Sequence, residues 1–248
     1  MYYKGGDMKI IAKNLVKIYG TRAVVNDISF EVNKGEVVGL LGPNGAGKTT
    51  TFYMIVGLIK ANKGKVFVDK TDITQMPMHE RARVGLGYLP QEASIFRKLS
   101  VEDNLKLVLE LNTKLNDREK KHKLEELLEE FGLTKLRKYA GVSLSGGERR
   151  RCELARSLAA SPEFILLDEP FTGIDPIAIA EIKEIIRKLS KEKGLGVLIT
   201  DHNPKATLSI TDRAYIIFDG QIKIQGKSQQ VAINPEAKEF YLGKDFEL

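Results

Sequence analysis

The chain has 248 residues, 42% hydrophobic and 29% charged, with a formal net charge of +6; that balance excludes a disordered chain, and the length suits one large domain or a core with one inserted subdomain. No apolar stretch approaches the ~20 residues that cross a bilayer, and Met1–Lys9 has no apolar segment, so no secretory leader is expected. The single cysteine, Cys152, cannot close an internal disulfide and is expected to be a small packed residue.

In chain order, the first third reads as β-rich. Apolar runs at Lys9–Asn14 and Val24–Val32 are broken by Gly20 and by Asn33-Lys34-Gly35. Glu36–Leu41 is a compact apolar strand that runs into a glycine-rich loop, with a helix opening at about Lys48; Lys65–Asp69 and Val84–Leu89 read as further strands. From about Glu92 to Ser161 the pattern turns helical. Val101, Leu105, Val108 and Leu109 share one face, and Leu124, Leu127, Leu128 and Phe131 share another, with Gly132 placed to end that helix. Ser145 is expected to cap a third helix with its own hydroxyl. After Pro162 strands and helices alternate again: Phe164–Leu167, a helix face of Ile182, Ile185, Ile186 and Leu189, then Val197–Thr200 and Ala214–Phe218, with Asp219-Gly220 as a hairpin signal. This alternation predicts a mostly parallel sheet covered by helices and interrupted by a helical insertion at about 92–161. The basic residues are scattered, apart from Lys120-Lys121 and Arg149-Arg150-Arg151, and are expected to be mostly solvated.

Gly42-Pro43-Asn44-Gly45-Ala46-Gly47-Lys48-Thr49 fits G-x-x-x-x-G-K-[ST], and it lies between a predicted strand and a predicted helix, as that motif requires. Its glycines let the backbone curl so that amide hydrogens, Thr50's included, face phosphate oxygens at the positive end of a helix dipole. Lys48 reaches the β- and γ-phosphates, and the Thr49 hydroxyl can sit on Mg²⁺. Each charge-assisted hydrogen bond contributes roughly 1.5–3 kcal/mol, so several together hold a nucleotide. The second motif, Phe164-Ile165-Leu166-Leu167-Asp168-Glu169, places two carboxylates at the carboxyl end of a buried strand, where open α/β sheets bind ligands. On its own such a pair is often a cap or a turn. Following a phosphate loop, Asp168 is a candidate Mg²⁺ ligand and Glu169 a candidate base for the attacking water. A third motif, Leu144-Ser145-Gly146-Gly147-Glu148, makes a second anion-binding helix end.

At this motif the chain resembles the ABC ATPase family, whose signature it is, and the resemblance covers essentially the whole chain. It implies one α/β P-loop cassette with an N-terminal antiparallel β subdomain, an inserted α-helical subdomain and a C-terminal extension over 235–248. It also implies ATP hydrolysis with ATP and Mg²⁺, and a homodimer in which Leu144–Glu148 of one copy closes over the phosphate loop of the other. It further implies that Gln91 links the γ-phosphate and metal to the helical lobe and that His202 contacts the γ-phosphate. Tyr19 would stack on adenine and Asp175 cross the dimer. The family's crossing loop usually reads Ser-Ala-Leu-Asp, whereas this chain has Thr172-Gly173-Ile174-Asp175.

A narrower likeness, to the ATP-binding subunits of lipopolysaccharide exporters, is carried by Leu89–Ser100, Leu144–Arg151, Thr200–Asn203 and Tyr241–Phe246. It implies a peripheral place on the cytoplasmic face of an inner membrane, two transmembrane partner subunits docking near Phe96 and Arg97, and no nucleic-acid partner. Phe96 otherwise only packs the helical lobe. The competing readings are the ATPase of another ABC transporter, such as an amino-acid importer, and a soluble ABC ATPase that moves no cargo. The single cassette and the absence of long coiled coils weigh against the soluble classes.

Overall fold

The computed structural model describes residues 8–112 and 115–248. Met1–Asp7, on which most of the expectation about a leader rests, lie outside it. A long hairpin opens the fold: β1 (Lys9–Tyr19) turns at Gly20-Thr21 into β2 (Arg22–Asn33). β1 runs five residues beyond its expected end. Its register against β2 slips between Ala12 and Leu15 and again after it, and such bulges break the period-2 alternation by which a strand is recognised.

β3 (Val37–Leu41) leads through the glycine loop to α1 (Lys48–Val56); β4 (Lys63–Val68) and β5 (Thr71–Asp72) follow. α2 (Met78–Arg83) is unexpected, because it has no apolar face: its one buried residue is Arg81. That guanidinium donates to the carbonyls of Met54 and Ile55 (both 2.6 Å), Met76 (2.8 Å) and Thr74 (2.9 Å), and so caps the carboxyl end of α1. β6 (Leu86–Leu89) starts two residues later than the apolar run suggests, because Val84 and Gly85 complete a turn.

A helical stretch comes next, of α3 (Val101–Asn112), α4 (Asp117–Glu130) and α5 (Gly146–Leu158). Leu124, Leu127, Leu128 and Phe131 are all buried in one cluster with Val101, Leu105 and Leu109. Cys152 is also buried, and burial pushes its thiol up to about 12, so it packs as a small apolar residue. β7 (Phe164–Asp168), α6 (Pro176–Lys191), β8 (Gly196–Thr200), α7 (Pro204–Leu208), β9 (Arg213–Phe218) and β10 (Gln221–Lys227) restore the alternation, with Asp219-Gly220 as the two-residue hairpin between the last two strands. α8 (Ser228–Ile233), α9 (Pro235–Ala237) and a π turn at Lys238–Leu242 end the chain's regular structure.

The strands form two sheets. One is antiparallel, β2-β1-β4-β5; the other runs β10-β9-β3-β8-β7-β6 and is parallel except for its β10 edge. Every residue of β3, β7 and β8 is buried. Each such Val, Leu or Ile contributes roughly 1.5–3 kcal/mol, so the three central strands are the rigid base on which everything at their carboxyl ends is mounted.

Candidate nucleotide-binding and hydrolytic site

The loop after β3 is shaped by close approach. Gly47 has φ +107, and a Cβ there would stand 2.5 Å from the Val24 carbonyl oxygen; only glycine lets the loop pass under β2. Gly47 also leaves α1 without a side-chain cap. The first-turn amide hydrogens therefore face outward with no side-chain acceptor, which is the electrostatics of an anion site. Pro43, Asn44, Gly45, Thr49 and Thr50 are at least partly exposed along this loop, whereas Gly42, Ala46 and Lys48 are buried. Lys48 folds over it, donating to the carbonyls of Gly42 (2.7 Å) and Pro43 (2.9 Å). Burial holds its ammonium below the ordinary lysine range, against the opposing pull of Glu169, Asp168 and Asp201, which places the loop and these carboxylates in one field.

Asp168 ends β7 fully buried. Burial first, and then the charge of Glu169, raise its carboxyl to about 6. Tyr88 donates to its Oδ2 at 3.4 Å, and Oδ1 has no partner among the described residues. A buried carboxylate oxygen left without a donor suits a cation. Thr49 supplies a hydroxyl and Gln91 an amide carbonyl from the same region, and no cluster of three acidic, His or Cys ligands occurs among the described residues. Few protein oxygens around one carboxylate fit Mg²⁺, which keeps several waters and shares phosphate oxygens.

Glu169 follows with φ +46, its amide held by the Thr200 carbonyl at 2.8 Å. Three side chains meet its Oε2: Gln91 Nε2 at 2.9 Å, Thr172 Oγ1 at 3.0 Å and His202 Nδ1 at 3.3 Å. Three of the four residues expected to act in catalysis thus converge on one oxygen, and the fourth, Lys48, shares their field. Thr172 is an addition, since the sequence assigns it no part at the carboxylate. The buried Asp201 supports the group. Its Oδ2 accepts from Phe171 N (3.1 Å) and its Oδ1 from Asn203 N (2.9 Å), so the residues flanking Thr172 and His202 hang on one side chain.

The expectation that Arg149–Arg151 is a solvated run is overturned at Arg150, which is 6% exposed. Its guanidinium donates to the carbonyls of Pro90 (2.9 Å), Asp168 (3.1 Å), Glu169 (3.2 Å) and Pro170 (3.2 Å), and pairs with the buried Glu153 at 3.2 Å. Glu153 in turn accepts from the amides of Ser94 and Ile95. One arginine therefore ties α5 to both the Gln91 loop and the Glu169 turn. The available signal was the i, i+3 spacing of Arg150 and Glu153; Arg151 pairs with Glu181.

The second helix end is built differently. Ser145 Oγ accepts from Glu148 N, and Glu148 Oε2 accepts from Ser145 N, a capping box. Leu144 is buried, so only its backbone is available to a ligand. Gly147 has a packing reason of its own: a Cβ there would lie 2.5 Å from that of Ala178 on α6. None of the hydrogen bonds described for Ser145 or Glu148 joins this end to the phosphate loop. Asp175 caps α6, accepting from Ile177 and Ala178 at 3.0 Å. Tyr19 is half exposed, with the Lys17 ammonium 5.1 Å from its ring centroid. Phe96 is 47% exposed with Arg156 5.0 Å from its ring, and the exposed Leu99, Tyr139 and Val142 adjoin it through backbone bonds between residues 96–99 and 139–142.

The sequence profile of the ABC transporter family matches residues 25–172. The Haemophilus influenzae lipopolysaccharide export system ATP-binding protein LptB is 54% identical over 239 residues, 96% of this chain and 99% of that protein. Among solved structures, the ADP conformation of MJ1267, an ATP-binding cassette of an ABC transporter, superposes with a TM-score of 0.87 at 30% identity, covering 96% of this chain and 100% of that one. The dimeric post-hydrolysis state of the cassette MJ0796 bound to ADP and Pi has a TM-score of 0.78 at 25% identity, covering 88% and 98%.

Proposed function

The chain belongs to the ABC transporter family as an ATP-binding subunit, and from that premise we propose that it is the ATP-hydrolysing motor of an export complex that draws lipopolysaccharide, or a related envelope lipid, out of an inner membrane. The cargo rests on the near-full-length likeness to a protein named for that export. Hydrolysis rests on one observation above all: Gln91, His202 and a hydroxyl meet at the Glu169 carboxylate, within the field of the phosphate-loop lysine.

The bare end of α1 and Lys48 hold the β- and γ-phosphates of ATP, while Tyr19 offers its ring to the base. Asp168, Thr49 and Gln91 would hold Mg²⁺, which supplies charge neutralisation on the transferring phosphoryl oxygens. Glu169 takes the proton of the water that attacks the γ-phosphorus, and the bond to the bridging oxygen breaks to leave ADP. His202 and Lys48 stabilise the charge that develops. Ser145–Gly147 and Asp175 serve a second copy across a homodimer, a reading supported by the dimeric state of MJ0796 and by the amides of Gly146 and Gly147, which the capping box leaves out. Residues 92–161 move as a lobe through Gln91, and 235–248 form an extension. The patch around Phe96 and Arg97 receives a helix from each of two transmembrane subunits, an aromatic beside a cation being a common anchor pair. The place on the cytoplasmic face as a peripheral subunit rests on the same likeness to the export protein; no helix among the described residues is long and apolar enough to cross a membrane.

Glu169→Gln tests the core of this reading. The variant binds ATP, loses about 10³-fold in turnover, and accumulates as an ATP-dependent dimer on size exclusion. Near-normal turnover would remove Glu169 from the role of base.

A further inference from the structure

We propose that Thr172 is a positioning residue for hydrolysis, its hydroxyl holding the Glu169 carboxylate and the His202 ring in one fixed arrangement. The proposal rests on the reading of Glu169 as the base and deepens it.

The reach of the hydroxyl is set by the backbone. Glu169 takes φ +46, and Thr172 N donates to the Glu169 carbonyl at 3.3 Å, closing a four-residue turn. Inside that turn Phe171 is buried, and its amide is held by Asp201. Asp201 immediately precedes His202, so the base, the hydroxyl and the imidazole share one anchor. A hydroxyl three residues from the carboxylate closes a very short loop at little entropic cost, and the β-branch of threonine limits the rotamers it can leave by.

Proton accounting gives the arrangement a direction. A carboxylate only accepts, so Thr172 donates its one hydrogen to Glu169 Oε2 at 3.0 Å. Towards His202 Nδ1, at 3.3 Å, the same oxygen must then accept. Nδ1 therefore carries hydrogen, shared with Glu169 Oε2 at 3.3 Å. With Gln91 also on Oε2, every hydrogen bond described at this carboxyl falls on one oxygen. Oε2 is the anchored atom, and Oε1 is the atom presented to water.

Thr172 also opens the loop that carries Asp175 towards a second copy, so it stands between the base and the dimer contact. Kinetics and assembly read out those two roles separately. Thr172→Val keeps the shape and the β-branch but removes the hydroxyl; Thr172→Ser keeps the hydroxyl. ATPase assays of the full-length protein should give the valine variant a kcat about tenfold lower with KM for ATP within about twofold, and the serine variant a kcat near wild type. Combined with Glu169→Gln, the valine change should leave ATP-dependent dimer formation intact. A normal kcat in Thr172→Val while Glu169→Gln is inactive overturns this proposal and leaves Glu169 as the base. A fall in kcat that tracks loss of the dimer overturns it too, in favour of an interface role. Turnover in Glu169→Gln itself would instead remove the base, and the proposal with it.

Discussion

Two buried carboxylates, one at the end of β7 and one in the helical stretch, are treated in opposite ways. Asp168 is fully buried, has one oxygen without a partner among the described residues, and has its carboxyl raised to about 6 by burial and by Glu169. Glu102, at the start of α3, is 5% exposed and is met by Lys106, by Arg137 (2.8 Å) and by Lys138 (3.2 Å), whose hydrogen bonds lower it to about 2. Burial acts against the charge in both; only Glu102 has cations enough to outweigh it. The helical stretch uses its acid to hold helices and loops together. The core sheet keeps its acid only partly compensated, with burial outweighing Tyr88, Arg150 and Lys48, in the place where a cation and a phosphate would supply the missing charge.

The largest effect expected from this contrast is at Asp168. Asp168→Asn should lower Mg²⁺-dependent ATP turnover by about 10³-fold. With no metal added it should raise unfolding free energy by about 2 kcal/mol, because a buried, half-partnered charge is removed. Denaturant unfolding with and without Mg²⁺ checks this, and loss of stability in the metal-free variant would break the contrast.

Glu102→Gln should act in the other direction. Its turnover per folded molecule stays at the wild-type value, while stability falls by about 2 kcal/mol as charge-assisted bonds are lost. The pH dependence has a definite sign. A carboxyl held below its unfolded value stabilises the fold above that value, and the stabilisation is lost as pH falls through the window from about 4.5 to about 2. Wild-type unfolding free energy should therefore drop more steeply between pH 5 and pH 3 than that of the glutamine variant. Parallel curves would mean that Glu102 is not the group that titrates.

Much of the core sheet was legible in the sequence because its chemistry is local. The phosphate loop, the Asp168-Glu169 strand end and the capped start at Ser145 each lie within a few consecutive residues and carry their own pattern. What escaped depends on distant partners. Arg150 looks like part of a basic surface run, and only the fold brings it under Pro90, Asp168 and Pro170. Arg81 sits in a helix with no apolar face and is explained solely by the α1 carbonyls it caps. Thr172 reads as a departure from a family loop until the turn at Glu169 folds it back. The signature glycines show a different limit. Their pattern is plain, yet Gly147 answers to Ala178 on α6 as well as to any anion, and two causes for one residue cannot be separated along the chain.

The smallest expected effect asks how Glu102 is satisfied. If its three cations contributed equally, losing any one would be felt alike. Their surroundings argue otherwise. Lys138 is 75% exposed, so its bond to Glu102 competes with water and with the entropy of a long free side chain; Lys138→Met should change unfolding free energy by less than about 0.5 kcal/mol. Arg137 spans two helices, with Nε on Glu102 of α3 and both terminal nitrogens on Glu125 of α4 at 3.0 Å. A fork bonded at both ends fixes their relative position, which a lysine cannot do. Arg137→Lys should therefore destabilise the protein clearly more than Lys138→Met, although it conserves the charge and Lys138→Met removes one. Equal effects from the two would mean that Glu102 is held by net positive charge alone, and the helical stretch would then differ from the end of β7 only in the number of nearby cations, not in how they are built.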